Sequence, residues 1–236
     1  MNCKHFDTEN ILKIKVSIKQ NLIKIKEQID NINVKIIAVT KYANQEQIFE
    51  AYNLGIRDFG ESYLQDAIEK ISGKSKYENP KDLINWHFIG RLQKNKVKQV
   101  VGKFYLIHSV DSEELAELIN KVANGNGLVQ DVLLQVNISE EKTKTGFTQK
   151  DLRDSFGKLI KLPDIRIKGL MTIAPKTDNK NLVKECFLNL SNLKEEINKN
   201  FMTNIKELSM GMSNDYKTAV ECGATMLRIG KGLFQN

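Results

Sequence analysis

Cysteines and long apolar runs are scarce in this sequence of 236 residues. Cys3, Cys186 and Cys222 are odd in number and far apart, with no CxxC pair and no histidine at ligand spacing, which argues against a disulfide framework or a zinc site. No apolar stretch approaches the roughly eighteen residues of a membrane span, and the first residues lack the apolar segment of a signal peptide. We therefore expect a soluble, cytoplasmic chain.

Basic residues exceed acidic ones, with 36 Lys and Arg against 29 Asp and Glu and a formal charge of +7. They are spread from Lys4 to Lys231, and no aromatic-interleaved arginine patch or nucleic-acid-binding module accompanies them. We expect neither a nucleic-acid nor a membrane partner. A nucleic-acid binder stays among the alternatives, because phosphate binding leaves the same basic balance.

Residues 8–30 carry isoleucine and leucine side chains with the 3.6-residue rhythm of an amphipathic helix. The apolar positions are Ile11, Ile14, Ile18, Leu22, Ile25 and Ile29. Strand-like alternation is also present, but the length and the Lys, Glu and Gln filling favour a helix. The sequence predicts an N-terminal helix packed on the domain that follows.

A different rhythm begins at Val34, where short β-branched or apolar runs alternate with helical stretches. The predicted strands are 34–39, 57–60, 85–89, 104–108, 129–137, 165–170, 205–209 and 225–229. This βα pattern is typical of an α/β fold with a single (β/α)8 TIM-type barrel, which we predict as one domain over residues 1–236. An open doubly wound sheet is the alternative, but no GxGxxG segment follows the first strand.

Three helix starts carry signals of their own. Asp111 and Thr148 are each followed three residues later by an acidic side chain, which is the spacing of a capping box. Ser213, whose hydroxyl can cap free N–H groups, and Gly223, which can adopt the left-handed conformation, frame a further helix of about ten residues.

The active face of a closed parallel barrel lies at the C-terminal ends of its strands, so residues just after each apolar run are candidates. Lys41 directly follows the run that ends in Val39 and Thr40, which places an amine at the rim of a buried strand. An amine there is a candidate nucleophile toward an aldehyde. On position alone, an exposed lysine that ends a strand is the more ordinary interpretation.

Glycine and serine follow the last two predicted strands, in residues 209–213 (SMGMS) and 228–232 (RIGKG). Glycine lets backbone N–H groups approach an anion, and serine hydroxyls add donors. Barrels often bind a phosphate between these two loops, so the position agrees with the composition. We predict a phosphate site here, although each segment alone is also an ordinary turn.

Arg228 has two candidate roles. Its permanently charged guanidinium can pair with a phosphate, or it can face a pyridine nitrogen and hold that nitrogen unprotonated. An unprotonated ring is a weaker electron sink, which restrains carbanion chemistry. A salt bridge on the barrel rim is the remaining interpretation.

Two histidines lie in neighbouring predicted strands. His87 stands inside an apolar run, which favours a hydrogen-bonded core histidine over a general base. His108 and the adjacent Ser109 either face the pocket or cap the next helix.

Several segments together carry a resemblance to a known family. They are 38–41 (AVTK), 59–63 (FGESY), 86–96 (WHFIGRLQKNK), 108–112 (HSVDS), 144–147 (KTGF), 169–175 (GLMTIAP), 208–213 (LSMGMS) and 228–230 (RIG). In their order and spacing the chain resembles the YggS/PROSC family of pyridoxal 5'-phosphate (PLP) binding proteins, also called PLP homeostasis proteins. The resemblance implies a barrel like the N-terminal domain of alanine racemase and a PLP carrier or buffer that affects amino-acid and keto-acid balance.

The resemblance also implies the site: Lys41 holds PLP as an internal aldimine, and the two glycine-containing loops cradle the phosphate. The cofactor-binding residues are then Lys41, Ser62, His87, Met171, Ser209, Met210, Ser213, Arg228, Ile229, Gly230 and Lys231. Ser62 stands where the family usually has Asn, and Lys231 where it usually has Thr, so these two positions bear on cofactor affinity. No catalytic residue and no metal are implied.

Three functions remain beside the nucleic-acid binder. The first is a monomeric PLP-binding protein without established turnover, with PLP-dependent apo-enzymes as acceptors. The second is a PLP-dependent enzyme of the racemase type; alanine racemase adds a second domain with a catalytic tyrosine, and we expect none here because the sequence ends at Asn236. The third is an aldolase in which Lys41 attacks a sugar-phosphate carbonyl without a cofactor.

Overall fold

Eight parallel strands form a closed barrel in the computed structural model, which describes residues 17–30, 34–71, 84–141 and 143–235. The strands are β1 (Lys35–Val39), β2 (Asp58–Glu61), β3 (Asn85–Phe88), β4 (Leu106–Val110), β5 (Gln130–Gln135), β6 (Ile165–Met171), β7 (Glu207–Ser209) and β8 (Met226–Ile229). Each strand pairs in parallel with the next, and β8 closes on β1. The predicted (β/α)8 barrel is confirmed, and the open sheet is excluded.

Helices follow the strands and cover the outside of the barrel. They are α1 (Ile18–Ile29), α2 (Gln45–Asn53), α3 (Leu64–Ile71), α4 (Val97–Val100), α5 (Glu113–Gly125), α6 (Gln149–Leu159), α7 (Lys180–Phe201), α8 (Tyr216–Glu221) and α9 (Lys231–Phe234). Among the described residues, none of these helices combines the length and the apolar character that a membrane crossing requires.

The apolar core has two parts, because successive side chains of a strand point to opposite faces. A small cluster fills the barrel itself, and it consists of Ile37, Leu106, Leu133, Met171 and Met226. The larger cluster lies between the barrel and its helices. The alternation also directs His87, His108, Ser209 and Arg228 into the barrel, since each stands two residues from, or is paired in register with, a member of the inner cluster.

Helix α1 packs beside the seam where β8 meets β1, against α2, α8 and α9. Asn21 donates to the carbonyl of Leu233 at 3.0 Å, and four apolar residues of α1 are buried. Of the helix predicted over residues 8–30, the structure describes the part from Ile18, where α1 begins because extended Ser17 caps it and accepts a hydrogen bond from the N–H of Gln20. Residues 8–16 lie outside the described part of the chain.

Other boundaries differ locally from the prediction. β4 begins at Leu106, two residues after the predicted start at 104. Phe104 lies before the strand and packs edge-on against Phe88, with 5.2 Å between the ring centroids. Thr148 caps α6 as predicted, whereas Ser112, not Asp111, caps α5. The start of α5 is thus one residue later than predicted, because the residue that caps a helix is the one whose hydroxyl or carboxylate reaches the free N–H groups of the first turn.

Candidate functional site

Lys41 lies two residues beyond β1, at the C-terminal mouth of the barrel. Its side chain is half-buried, and its Nζ stands 5.0 Å from the centroid of the exposed Tyr42 ring. The residue before it is fixed, because the N–H of Thr40 donates to the carbonyl of Gly60 at 3.0 Å. The backbone therefore leads the Lys41 amine, which has no hydrogen bond or ion pair with the described residues, out of a rigid strand end at the rim of the barrel, where the sequence predicted it.

A buried ion pair supports this strand end from outside the barrel. Lys70 donates through Nζ to Oε1 of Glu61 at 2.6 Å and to the carbonyl of Thr40 at 2.8 Å. Glu61 is fully buried, its Oε1 also accepts from the hydroxyl of Thr40, and its Oε2 has no partner among the described residues. Sequence reasoning missed this cluster, although an acidic residue directly after an apolar strand was a signal for it.

The loops after β7 and β8 meet at the same mouth. Gly211 has a φ of +88°, and a Cβ there would lie 2.6 Å from the Cβ of Ala219, so only glycine fits. The carbonyl of Gly211 accepts from the N–H of Arg228 at 2.9 Å, and the hydroxyl of Ser213 accepts from the N–H of Gly232 at 3.0 Å. The two segments predicted to hold a phosphate are thus bound to each other.

Ser213 does not cap α8, which corrects the prediction made for it; its hydroxyl instead accepts from an N–H in the first turn of α9. α8 begins three residues later, at Tyr216, and spans six residues, because Ser213 is engaged with Gly232. Gly223 does take the left-handed conformation just beyond this helix, with a φ of +89°. Ser213 therefore joins the two loops and leaves the start of α8 to Asp215.

Arg228 points into the barrel and is 5% exposed. Its Nη1 donates to Oγ of Ser209 at 2.6 Å, and its Nη2 donates to the carbonyl of Thr172 at 2.8 Å. No carboxylate of the described residues pairs with it, and burial lowers the pKa of its guanidinium to about 10, so that it stays charged at neutral pH. This excludes the rim salt bridge for the described residues and leaves a buried cation at the site.

Both histidines are fully buried and hydrogen-bonded to each other, with 2.9 Å between Nδ1 of His87 and Nε2 of His108. Nδ1 of His108 lies 2.9 Å from Oγ of Ser209, and Nε2 of His87 lies 3.0 Å from Oδ1 of Asp58. Burial lowers the pKa of His87 and, more strongly, that of His108, where the neighbouring His87 and Arg228 act in the same direction. Both imidazoles are therefore neutral at pH 7.

Four further predicted site residues lie on or just after the strands. Met171 belongs to the inner cluster. The backbone carbonyl of Ser62 packs closely on Gly90, and a Cβ added to Gly90 would lie 2.0 Å from that carbonyl oxygen. The side chains of Met210 and Ile229 pack between barrel and helices, so these two residues present only backbone to the mouth.

Gly230 and Lys231 complete the loop after β8. Gly230 immediately precedes α9, and Lys231 is exposed at the first position of that helix. Thr172, which accepts from Arg228, and Asp58, which is hydrogen-bonded to His87, were not predicted as site residues. Asp58, at the start of β2, is in step with the inward-facing residues, which was the available signal for it. Thr172 directly follows inward-facing Met171 and holds Arg228 through its backbone carbonyl, so no side-chain pattern marks it.

Comparison with known proteins places this barrel in a family. The model of the alanine racemase N-terminal domain matches residues 16–235. Proteins named pyridoxal phosphate homeostasis protein are 43% identical in Aquifex aeolicus, covering 85% of this chain and 86% of that protein, and 41% identical in Synechocystis, covering 86% and 91%.

Solved structures agree with this assignment. PipY of Synechococcus elongatus with PLP bound has a TM-score of 0.84 at 35% identity, covering 92% of this chain and 100% of that chain. An alanine racemase of Clostridium difficile shares the fold alone, with a TM-score of 0.74 at 16% identity, covering 92% of this chain and 55% of that chain. The chain therefore belongs to the family of pyridoxal phosphate homeostasis proteins, whose barrel is that of the alanine racemase N-terminal domain.

Proposed function

We propose that this protein binds PLP at the C-terminal mouth of its barrel and serves as a cellular carrier or buffer of PLP without substantial turnover. The observation that carries the proposal is the buried Arg228 cation, which forms no ion pair with a carboxylate of the described residues and stands on the strand next to the one that leads to Lys41. A buried cation is costly, and two hydrogen bonds and the charge of Asp215 offset that cost only in part, so Arg228 is expected to serve a ligand. The relatives named for PLP homeostasis point to the same cofactor.

The residues at the mouth fit the three parts of PLP. The Lys41 amine is the covalent anchor, since the aldehyde of PLP condenses with a lysine amine to a Schiff base with loss of water. The joined loops that contain Gly211 and Ser213 present backbone and hydroxyl donors to the phosphate. Arg228 lies deeper in β8 than Gly230, so its guanidinium would serve the pyridine nitrogen of a bound PLP as a donor and not the phosphate.

Arg228 also favours the carrier over an enzyme of the racemase type. A guanidinium donates hydrogen bonds but does not transfer a proton, so a pyridine nitrogen that faces it stays unprotonated and acts as an acceptor. Carbanion chemistry is thereby restrained, because the ring withdraws fewer electrons. The relatives carry the name of a homeostasis protein and not that of an enzyme, which agrees with a carrier.

The exposed rim of the barrel mouth supports delivery of PLP to an acceptor enzyme. Tyr42 and Tyr63, which flank the strand ends of β1 and β2, are 61% and 56% exposed. A lysine amine of an acceptor that replaces the Lys41 amine at the aldehyde carbon leaves Lys41 free again, and this exchange needs no oxidant or reductant. PLP-dependent apo-enzymes are therefore the proposed partners.

A monomer in the cytoplasm is the proposed state of the protein. A closed barrel has no unpaired sheet edge to invite association. Cys186 and Cys222 are buried free thiols, and burial raises the pKa of Cys186 to about 11, so neither is poised for oxidation. Sedimentation equilibrium should give a mass near 26.9 kDa.

A transfer assay tests the carrier function. Protein loaded with PLP and freed of excess cofactor is mixed with the apo-form of a PLP-dependent enzyme, in the presence of a trap for free PLP, and recovery of that enzyme's activity is followed. We expect recovery faster than the protein releases PLP to the trap alone. Recovery no faster than release would exclude direct delivery, and an appreciable amino-acid racemase rate from the loaded protein would favour the enzyme instead.

A further inference from the structure

A chain of hydrogen bonds crosses the barrel interior from its N-terminal end to the site. It begins at Asp58, the first residue of β2, passes through His87 and His108, and reaches Arg228 by way of Ser209. Its four donor–acceptor distances lie between 2.6 and 3.0 Å. Of the members of this chain, only Arg228 has a role in the PLP binding proposed above.

The chain has one permitted direction. A carboxylate only accepts, so Nε2–H of His87 donates to Asp58, and the Nδ1 of a neutral His87 must then accept. Nε2–H of His108 supplies that bond, which makes its own Nδ1 an acceptor for the hydroxyl of Ser209. Arg228 only donates, so its bond to the same oxygen fits this arrangement.

Burial reinforces the direction. Both imidazoles are completely enclosed, and desolvation disfavours the charged form of each. A second proton on His87 would place two N–H groups against each other between its Nδ1 and Nε2 of His108. A second proton on His108 would make its Nδ1 a donor toward the Ser209 oxygen, which already accepts from Arg228. The two rings therefore carry one proton each, both on Nε2.

We propose that Asp58, His87 and His108 are positioning residues that fix the orientation of the Ser209 hydroxyl and thereby hold the Arg228 guanidinium toward the PLP ring. When the hydroxyl proton of Ser209 is directed at His108, the lone pairs of the Ser209 oxygen face Nη1 of Arg228. The carbonyl of Thr172 accepts from Nη2 of the same guanidinium. The remaining N–H groups of the guanidinium are then aimed in one direction. The role toward PLP rests on the proposed function, whereas the direction of the chain does not.

Histidine tautomers are the direct test. Correlation of the imidazole carbon-bound protons with both ring nitrogens by NMR reads the protonation of each nitrogen, and the sequence holds only three histidines, so substitution of each to Gln assigns them. At pH 7, in protein with or without PLP, we expect His87 and His108 neutral with the proton on Nε2. A proton on Nδ1 of either ring would overturn the chain.

Variants at the far end of the chain test its effect on Arg228. Asp58→Leu removes the acceptor, whereas Asp58→Asn keeps an amide oxygen that can accept from His87. Gln130→Leu is the matched control, because Gln130 is a buried polar side chain at the start of β5, held by Gly102 and Phe104 outside the chain. All three variants are compared after their stability has been measured by urea unfolding.

For Asp58→Leu we expect loss of the tautomer preference, a shifted Arg228 Nε–H resonance and PLP release about fivefold faster, which is the effect of one ordinary hydrogen bond. Asp58→Asn should keep the tautomer preference, the Arg228 resonance and the PLP release rate of the wild-type protein. Gln130→Leu should change only the free energy of unfolding. Equal acceleration in Gln130→Leu, or an unchanged Arg228 resonance in Asp58→Leu, would overturn the positioning role. If the wild-type protein retains no PLP, the proposed function fails, and the Arg228 resonance still decides whether the chain positions this residue.

Discussion

Lowering the pH from 7 to 5 should destabilise the folded protein through its two buried histidines. Burial lowers the pKa values of His87 and His108, so below pH 7 these two imidazoles bind protons in the unfolded chain but not in the folded one. Stability is therefore complete above the unfolded pKa of about 6.5 and is lost as the pH falls below it. Each histidine contributes a slope of up to about 1.4 kcal/mol per pH unit, so at pH 5 the pair costs up to about 4 kcal/mol.

That loss is large against the roughly 5–15 kcal/mol by which domains of this kind are stable. Urea unfolding between pH 7.5 and 5 measures it. Asp58 interferes little in this window, because its pKa is lowered: burial acts to raise it, but the hydrogen bonds from His87 and Asn85 and the charge of Lys35 prevail. Its contribution is lost only at lower pH.

The matched controls are His108→Gln, which should remove the larger part of the slope because the pKa of His108 is lowered more strongly than that of His87, and His5→Gln, which replaces a histidine outside the described residues. Equal stability at pH 7 and pH 5 in the wild-type protein would refute the neutral, buried pair. A slope that survives His108→Gln but vanishes in His5→Gln would do the same.

Two further substitutions test the supports of the site and the barrel. Lys70→Met removes the cation that pairs with the fully buried Glu61 and should lower the free energy of unfolding by about 3 kcal/mol. Lys150→Met, at an exposed ion pair, should leave the free energy of unfolding nearly unchanged, and urea unfolding of both variants compares them. Equal costs would show that the pair is not effectively buried. Gly169→Ala would place a Cβ 1.9 Å from the carbonyl oxygen of Glu207 and force β6 and β7 apart, so we expect a loss of at least about 2 kcal/mol or insoluble protein, and wild-type stability would contradict the strand register.

The order of strands was predictable because alternation of apolar runs and helical stretches depends on burial of whole elements. Ends of elements depend on single contacts instead. The N-terminal helix kept its apolar rhythm across Ser17, yet that residue caps it from an extended conformation. Likewise Ser213 had the composition of a helix cap, but its hydroxyl accepts from Gly232, a residue 19 positions away that no local pattern reveals.

The candidate site was predictable where it follows strand ends and hidden where it crosses the barrel. Lys41 and Arg228 stand at or next to the ends of adjacent strands, so topology alone brings them together. The link from Asp58 to His87 joins inward positions of two strands 29 residues apart in sequence, and it requires the register of the sheet. His87 was correctly expected to be a hydrogen-bonded core histidine; its partners came only from the structure.

The visible absorbance of the wild-type protein and of Lys41→Ala after incubation with PLP, followed by borohydride reduction and peptide mapping, tests the central claim most directly. The proposal predicts a lysine–PLP band in the wild-type protein that is absent from the variant, with the reduced adduct on Lys41. No band in either protein would contradict PLP binding and favour a cofactor-independent aldolase, and an adduct at another lysine would contradict the anchor.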